Sequence, residues 1–72
     1  MRGNFYYRRL GKKISKIRKN RQLSLEQLAL LSYVDRSYLN EVETGKANPS
    51  IKYLRKIIKI LKIELDSLLK DV

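Results

Sequence analysis

Arg36, Ser37, Asn40, Glu41 and Thr44 stand at i, i+1, i+4, i+5 and i+8 of the stretch VDRSYLNEVETG. On an α-helix that spacing puts all five on one side, while Tyr38, Leu39 and Val42 turn to the other. Each of the five can donate or accept hydrogen bonds. Such a row suits contact with a patterned polar surface, and it equally suits plain solvation. Catalysis is a poorer fit. The chain has no His, hence no imidazole ligand or base, and no Cys, hence no disulfide, thiolate metal site or redox chemistry. No nucleophile-base pair, metal-ligand cluster or Gly-rich phosphate loop is visible. The expectation is a binding protein with no enzyme activity, no metal and no cofactor.

Charge narrows the class of partner. The 72 residues carry 17 Lys or Arg against 7 Asp or Glu, a formal net charge of +10. Residues 1–22 hold nine of the bases and no acid, residues 23–45 sum to −3, and residues 46–72 to +4. A field of this sign attracts polyanions, of which nucleic acid is the commonest in a cell; lysines that only keep a small helical protein soluble are the alternative. No apolar run approaches a membrane span, and the basic N-terminus is followed by no apolar core of a secretory signal. The chain reads as one small soluble cytoplasmic domain.

The periodicity is helical throughout, so an all-α fold of five helices is expected. Tyr7, Leu10, Ile14 and Ile17 form an apolar stripe on an otherwise basic first helix. Ser24 and Gln27 make a capping-box pattern, after which Leu28, Ala29 and Leu31 can face inward. Asp35 is the expected N-cap of the next helix and Gly45 its stop. Pro49 turns Asn48 away from helix, and Ser50 can cap a helix whose core face is Ile51, Leu54, Ile57, Ile58 and Leu61. The segment ELDSLLKDV supplies a short last helix with Leu65, Leu68, Leu69 and Val72.

Residues 10–69, through LGKKISKIRKNRQLSLEQLA, VDRSYLNEVETGKANPS and LRKIIKILKIELDSLL in that order, resemble the phage-repressor/Cro-type (XRE) helix-turn-helix family. DRSYLNEVETGKANPS, with Leu25 and Leu30, most resembles controller proteins of restriction-modification systems. Gln22, Tyr33 and Lys62 stand where glycine is common in the family. A positive φ at each would cost roughly 1 kcal/mol. Glu64 stands where a Ser cap is usual.

The resemblance implies a compact lambda-repressor-like domain with its helix-turn-helix at about 24–45. Its second helix would lie in the major groove with Arg36, Ser37, Asn40 and Glu41 on base edges: Arg36 on guanine, Glu41 on a cytosine amino group or steadying Arg36. Phosphate contacts would come from Ser24, Tyr33, Tyr38, Thr44, Lys46, Asn48, Ser50 and Lys52. Glu43 would pair with Arg18 as a structural ion pair. A two-fold dimer would form through a C-terminal region at about 61–72, using Ile63, Leu65, Leu68, Leu69 and Val72. The partners so implied are double-stranded DNA, a second copy of the chain and RNA polymerase, with no membrane.

The controller subgroup implies an operator upstream of the protein's own gene and of an endonuclease gene. An antitoxin or a phage repressor would share the same pattern. From another class, YYRRLGKKISKIRKNR could form a cationic amphipathic helix on anionic lipid.

Overall fold

Three side chains decide where three of the helices begin. The computed structural model describes residues 2–72, with side chains from Phe5 onward. Its helices are α1 (Arg2–Asn20), α2 (Leu25–Ser32), α3 (Arg36–Glu43), α4 (Ile51–Leu61) and α5 (Leu65–Leu69). At α2, Gln27 N–H donates to Ser24 Oγ at 3.0 Å and Ser24 N–H donates to Gln27 Oε1 at 2.8 Å, completing the capping box. At α3, Tyr38 N–H donates to Asp35 Oδ2 at 2.9 Å. At α4, Tyr53 N–H donates to Ser50 Oγ at 3.0 Å. α5 starts after Glu64, which makes no side-chain cap bond.

The ends of the first four helices share one device. The second or third residue past each end donates back five residues: Leu23 to Arg18, Val34 to Ala29, Lys46 to Glu41 and Ile63 to Ile58. The residue before it must then adopt positive φ, and it does: Gln22 at 60°, Tyr33 at 58°, Gly45 at 79° and Lys62 at 60°. Only one of these is glycine, so three turns carry a strain of roughly 1–2 kcal/mol each that packing must offset.

The core lies where the five helices meet. Leu10 and Ile14 of α1, Leu28 and Ala29 of α2, Leu39 and Val42 of α3, Leu54, Ile57, Ile58 and Leu61 of α4, and Leu68 of α5 are all buried. α1 packs on α3 and α5, α2 on α3 and α4, and α4 on α5. Two residues expected inside are not there. Leu31 is 49 % exposed, because Leu28, Ala29 and Ser32 take the inward stripe of this short helix. Ile51 is 46 % exposed, since it opens α4 one turn ahead of the buried Leu54.

The segment RGNFYYRR is the first part of α1, with Tyr6 and Tyr7 packed against the core; Met1 lies outside the described residues. Among the described residues no helix is long and apolar enough to cross a membrane.

Candidate nucleic-acid interface

The Asp35 cap fixes the first turn of α3, so the side chains after it leave the helix in a set direction. Arg36, Ser37, Asn40 and Glu41 are all exposed. Together with Leu25 of α2 and Lys46 of the following loop they line one concavity of about 370 Å³. Glu41 does not steady Arg36: the ion pair formed among the described residues is a different one.

That ion pair joins Arg18 and Glu43. Arg18 Nε donates to Glu43 Oε2 at 2.8 Å and Nη2 donates to Oε1 at 3.0 Å. Nη1 donates to the Leu23 carbonyl at 2.8 Å. The two side chains are 10 % and 7 % exposed. One planar guanidinium thus ties the end of α1, the α1–α2 loop and the end of α3, which sets the angle at which α3 presents its outer face.

The residues expected on phosphate differ in their placement. Lys46 lines it directly. Ser24 and Ser50 accept cap bonds through Oγ, and each keeps its own hydroxyl hydrogen to donate. Thr44 is differently placed, because its hydroxyl already donates to the Asn40 carbonyl at 2.9 Å. Tyr33 is 90 % exposed on the α2–α3 turn. Tyr38 is half-buried, edge-on to Tyr53 with ring centroids 5.0 Å apart. Asn48 and Lys52 are exposed in the α3–α4 loop and at the start of α4.

At the other end of the chain one expectation needs correcting. Leu68 has 0 % exposure and belongs to this chain's own core, so it is not available to a symmetric apolar patch. Ile63, Leu65, Leu69 and Val72 are only half-buried against that core.

Several residues that shape the site carry no obvious sequence signal. A Cβ on Gly11 would lie 2.3 Å from the Val42 carbonyl oxygen and 2.6 Å from that of Glu43, so α1 crosses α3 at backbone contact. A glycine inside a helical pattern is the one cue that could have pointed to it. Arg21 Nε donates to the Leu61 carbonyl at 2.8 Å, and Lys13 Nζ donates to the carbonyls of Ser67 and Lys70 at 2.6 and 2.7 Å. The Tyr53 hydroxyl, beneath α3, is buried with no hydrogen-bond partner among the described residues. Burial first, then Tyr38 and the carboxylates of Asp35 and Glu43, push its phenol well above the ordinary tyrosine value.

A short α2, a left-handed turn at Tyr33 and a capped α3 with an open polar face form one continuous unit. The Helix-turn-helix profile matches residues 14–68, which contain that unit whole. The chain belongs to the XRE-type helix-turn-helix family. The family is one of DNA-binding transcriptional regulators.

Within it, the control protein C.MunI of Mycoplasma sp is 40 % identical over 65 residues, spanning 89 % of this chain and 88 % of that one. The restriction-modification controller C.AhdI of Aeromonas hydrophila superposes with a TM-score of 0.84 at 37 % identity, over 86 % of this chain and 94 % of that one. The regulator SlrR of Bacillus subtilis is 40 % identical over 60 residues. This helix-turn-helix chain spans 40 % of that regulator's length.

Proposed function

We propose that this helix-turn-helix protein is a sequence-specific regulator of transcription that binds a pseudo-palindromic operator as a homodimer and controls its own gene and a restriction endonuclease gene. The observation that carries the reading is the cleft on α3, where Arg36, Ser37, Asn40, Glu41 and Lys46 are gathered and exposed on a frame held by Arg18 and Glu43. Arg36 offers a planar pair of donors to guanine O6 and N7; Asn40 can pair with adenine; Glu41 accepts from a cytosine amino group. Ser37 is short enough to approach a base edge closely. Ser24, Tyr33, Tyr38, Lys46, Asn48, Ser50 and Lys52 hold phosphates on either side, with Thr44 joining once its internal bond is released.

In this reading residues 24–45 are the DNA-binding unit and residues 61–72 the dimerisation region. Ile63, Leu65, Leu69 and Val72 supply the symmetric contact. The relatives that this chain matches over most of both lengths are a control protein and a restriction-modification controller, which favours that branch of the family. RNA polymerase is the further partner of its activating role, and the cytoplasm its setting.

The lipid-binding alternative loses support from packing. A surface helix needs a free apolar stripe, and in α1 Leu10 and Ile14 are 2 % and 0 % exposed.

Selection from a random duplex library, followed by footprinting, tests the proposal. A two-fold symmetric site with two protected half-sites is expected. Recovery of no preferred sequence would refute it.

A further inference from the structure

We propose that the outer face of α1 is a second polyanion-binding surface, holding the sugar-phosphate backbone of the same duplex that α3 reads. The proposal rests on the DNA-binding reading above. Residues 1–22 carry nine Lys or Arg and no acid. Three of them have internal partners: Arg18 on Glu43, Arg21 on the Leu61 carbonyl, and Lys13 on the carbonyls of Ser67 and Lys70. Arg8, Arg9, Lys12, Lys16 and Lys19 are exposed and form no ion pair among the described residues.

Helical spacing aligns four of these five. Arg8, Lys12 and Lys16 follow at i, i+4 and i+8, and Lys19 stands three residues further. At 1.5 Å per residue the row from Arg8 to Lys19 is ~16 Å long. Its charge is not neutralised by the neighbouring helix. Two concavities, of about 490 and 530 Å³, border this face where it meets the end of α3. Glu43 is the single acid lining either, and Arg18 already holds its carboxylate with two hydrogen bonds.

The row also adjoins the cleft on α3. A Cβ on Gly45 would lie 2.7 Å from Arg8 Cα, so α1 presses on the turn that leads directly into Lys46. Lys46 lines the α3 cleft, and Thr44, on the outer side of α3, lines the concavity beside Arg8. A rod with one negative charge every ~1.7 Å of its axis meets several of these cations at once, whereas solvation alone asks for no such alignment. An anionic vesicle is a poorer occupant, because the apolar stripe of α1 that it would need is spent on the core.

The test uses the full chain and a duplex recovered by selection, with affinity measured across a range of NaCl concentrations. Arg8→Gln/Lys12→Gln/Lys16→Gln should keep the wild-type base preference, helicity and melting temperature. Its slope of log K against log salt should be shallower by about 2 to 3. Arg8→Lys/Lys12→Arg/Lys16→Arg, which keeps the charges, should restore the wild-type slope. An unchanged slope in the glutamine variant overturns the proposal. So does an unchanged slope on duplex with lost retention on single-stranded poly(U), which would assign the face to RNA. A wild-type chain with no preferred duplex sinks the operator reading, and this inference with it, whatever the variants do.

Discussion

The Arg18 guanidinium and the Glu43 carboxylate meet through two hydrogen bonds, of 2.8 and 3.0 Å, with both side chains at 10 % exposure or less. Removing one member leaves the other charged and largely out of water. Glu43→Gln should therefore cost about 3 kcal/mol of stability, while base preference stays as in the wild type. Thermal unfolding of Glu43→Gln, Arg18→Met and the double variant gives the coupling. Additive effects would show that the bidentate geometry contributes nothing.

Gly11 makes a second contact between the same helices, and here the chemistry is steric. The atom that an added Cβ would meet is the Val42 carbonyl oxygen at 2.3 Å, which belongs to backbone and cannot swing aside. Alanine normally improves a helix interior by about 1 kcal/mol over glycine. At this crossing the helices must separate instead, so Gly11→Ala should be destabilised by about 2 kcal/mol or more. A urea midpoint at or above that of the wild type would mean that α1 and α3 do not touch there.

Much of this architecture could be read from local chemistry. Ser24, Asp35 and Ser50 mark helix starts because a cap needs only residues within three positions. The polar row on α3 follows from helical spacing alone, and its four leading residues do share one cleft with Lys46. The less legible features depend on what lies across the fold. Leu31 and Leu68 are both leucines at plausible inward spacing, yet one is 49 % exposed and the other 0 %, because Leu31 lies off the stripe that α2 turns to the core and Leu68 lies on that of α5. The closeness of α1 to α3 at Gly11 and the carbonyl partners of Lys13 and Arg21 join residues 31 to 57 positions apart. No local pattern encodes such pairings.

Tyr53 gives a prediction with a sign in pH. Its hydroxyl is buried and has no partner among the described residues, and burial raises the phenol above its ordinary value. The neutral form is favoured in the fold, so this contribution to stability is complete below the unfolded pKa of about 10 and is lost as pH rises beyond it. Tyr53→Phe keeps the edge-on contact with Tyr38 and removes the orphan hydroxyl. It should match or exceed wild-type stability, by up to about 1 kcal/mol at neutral pH. It should also lose less stability than the wild type between pH 9 and 11. Absorbance titration near 295 nm should show a late-ionising tyrosine in the wild type that the variant lacks. A clear loss of stability in Tyr53→Phe at pH 7 would reveal a partner for the hydroxyl.

Arg36 and Lys46 line the same cleft but should fail differently. Arg36→Ala should cost about 1 to 3 kcal/mol on the preferred duplex and relax selection at one base pair per half-site. Lys46→Ala should weaken binding to all sequences alike and reduce the salt slope by about 1. Selection experiments on both variants separate the roles. If Arg36→Ala selects the wild-type site unaltered, Arg36 is not on a base.

Assembly is best probed at the last helix, where burial now sorts the leucines. Leu68 is wholly inside one chain, so Leu68→Glu should abolish folding and says nothing about pairing. Leu69 and Ile63 are half-buried against the core and keep part of their apolar surface free. A two-fold contact through that surface would place two copies of α3 on half-sites one DNA turn, roughly 10 bp, apart. Leu69→Glu or Ile63→Glu should then yield a helical monomer whose operator affinity collapses while each half-site is still read with the same base preference. Sedimentation and circular dichroism must be run on the same samples, because an unfolded chain also fails to bind. A wild-type protein that is monomeric in solution but protects both half-sites cooperatively would move dimer formation onto the DNA. Full selectivity on an isolated half-site would remove the need for a dimer altogether.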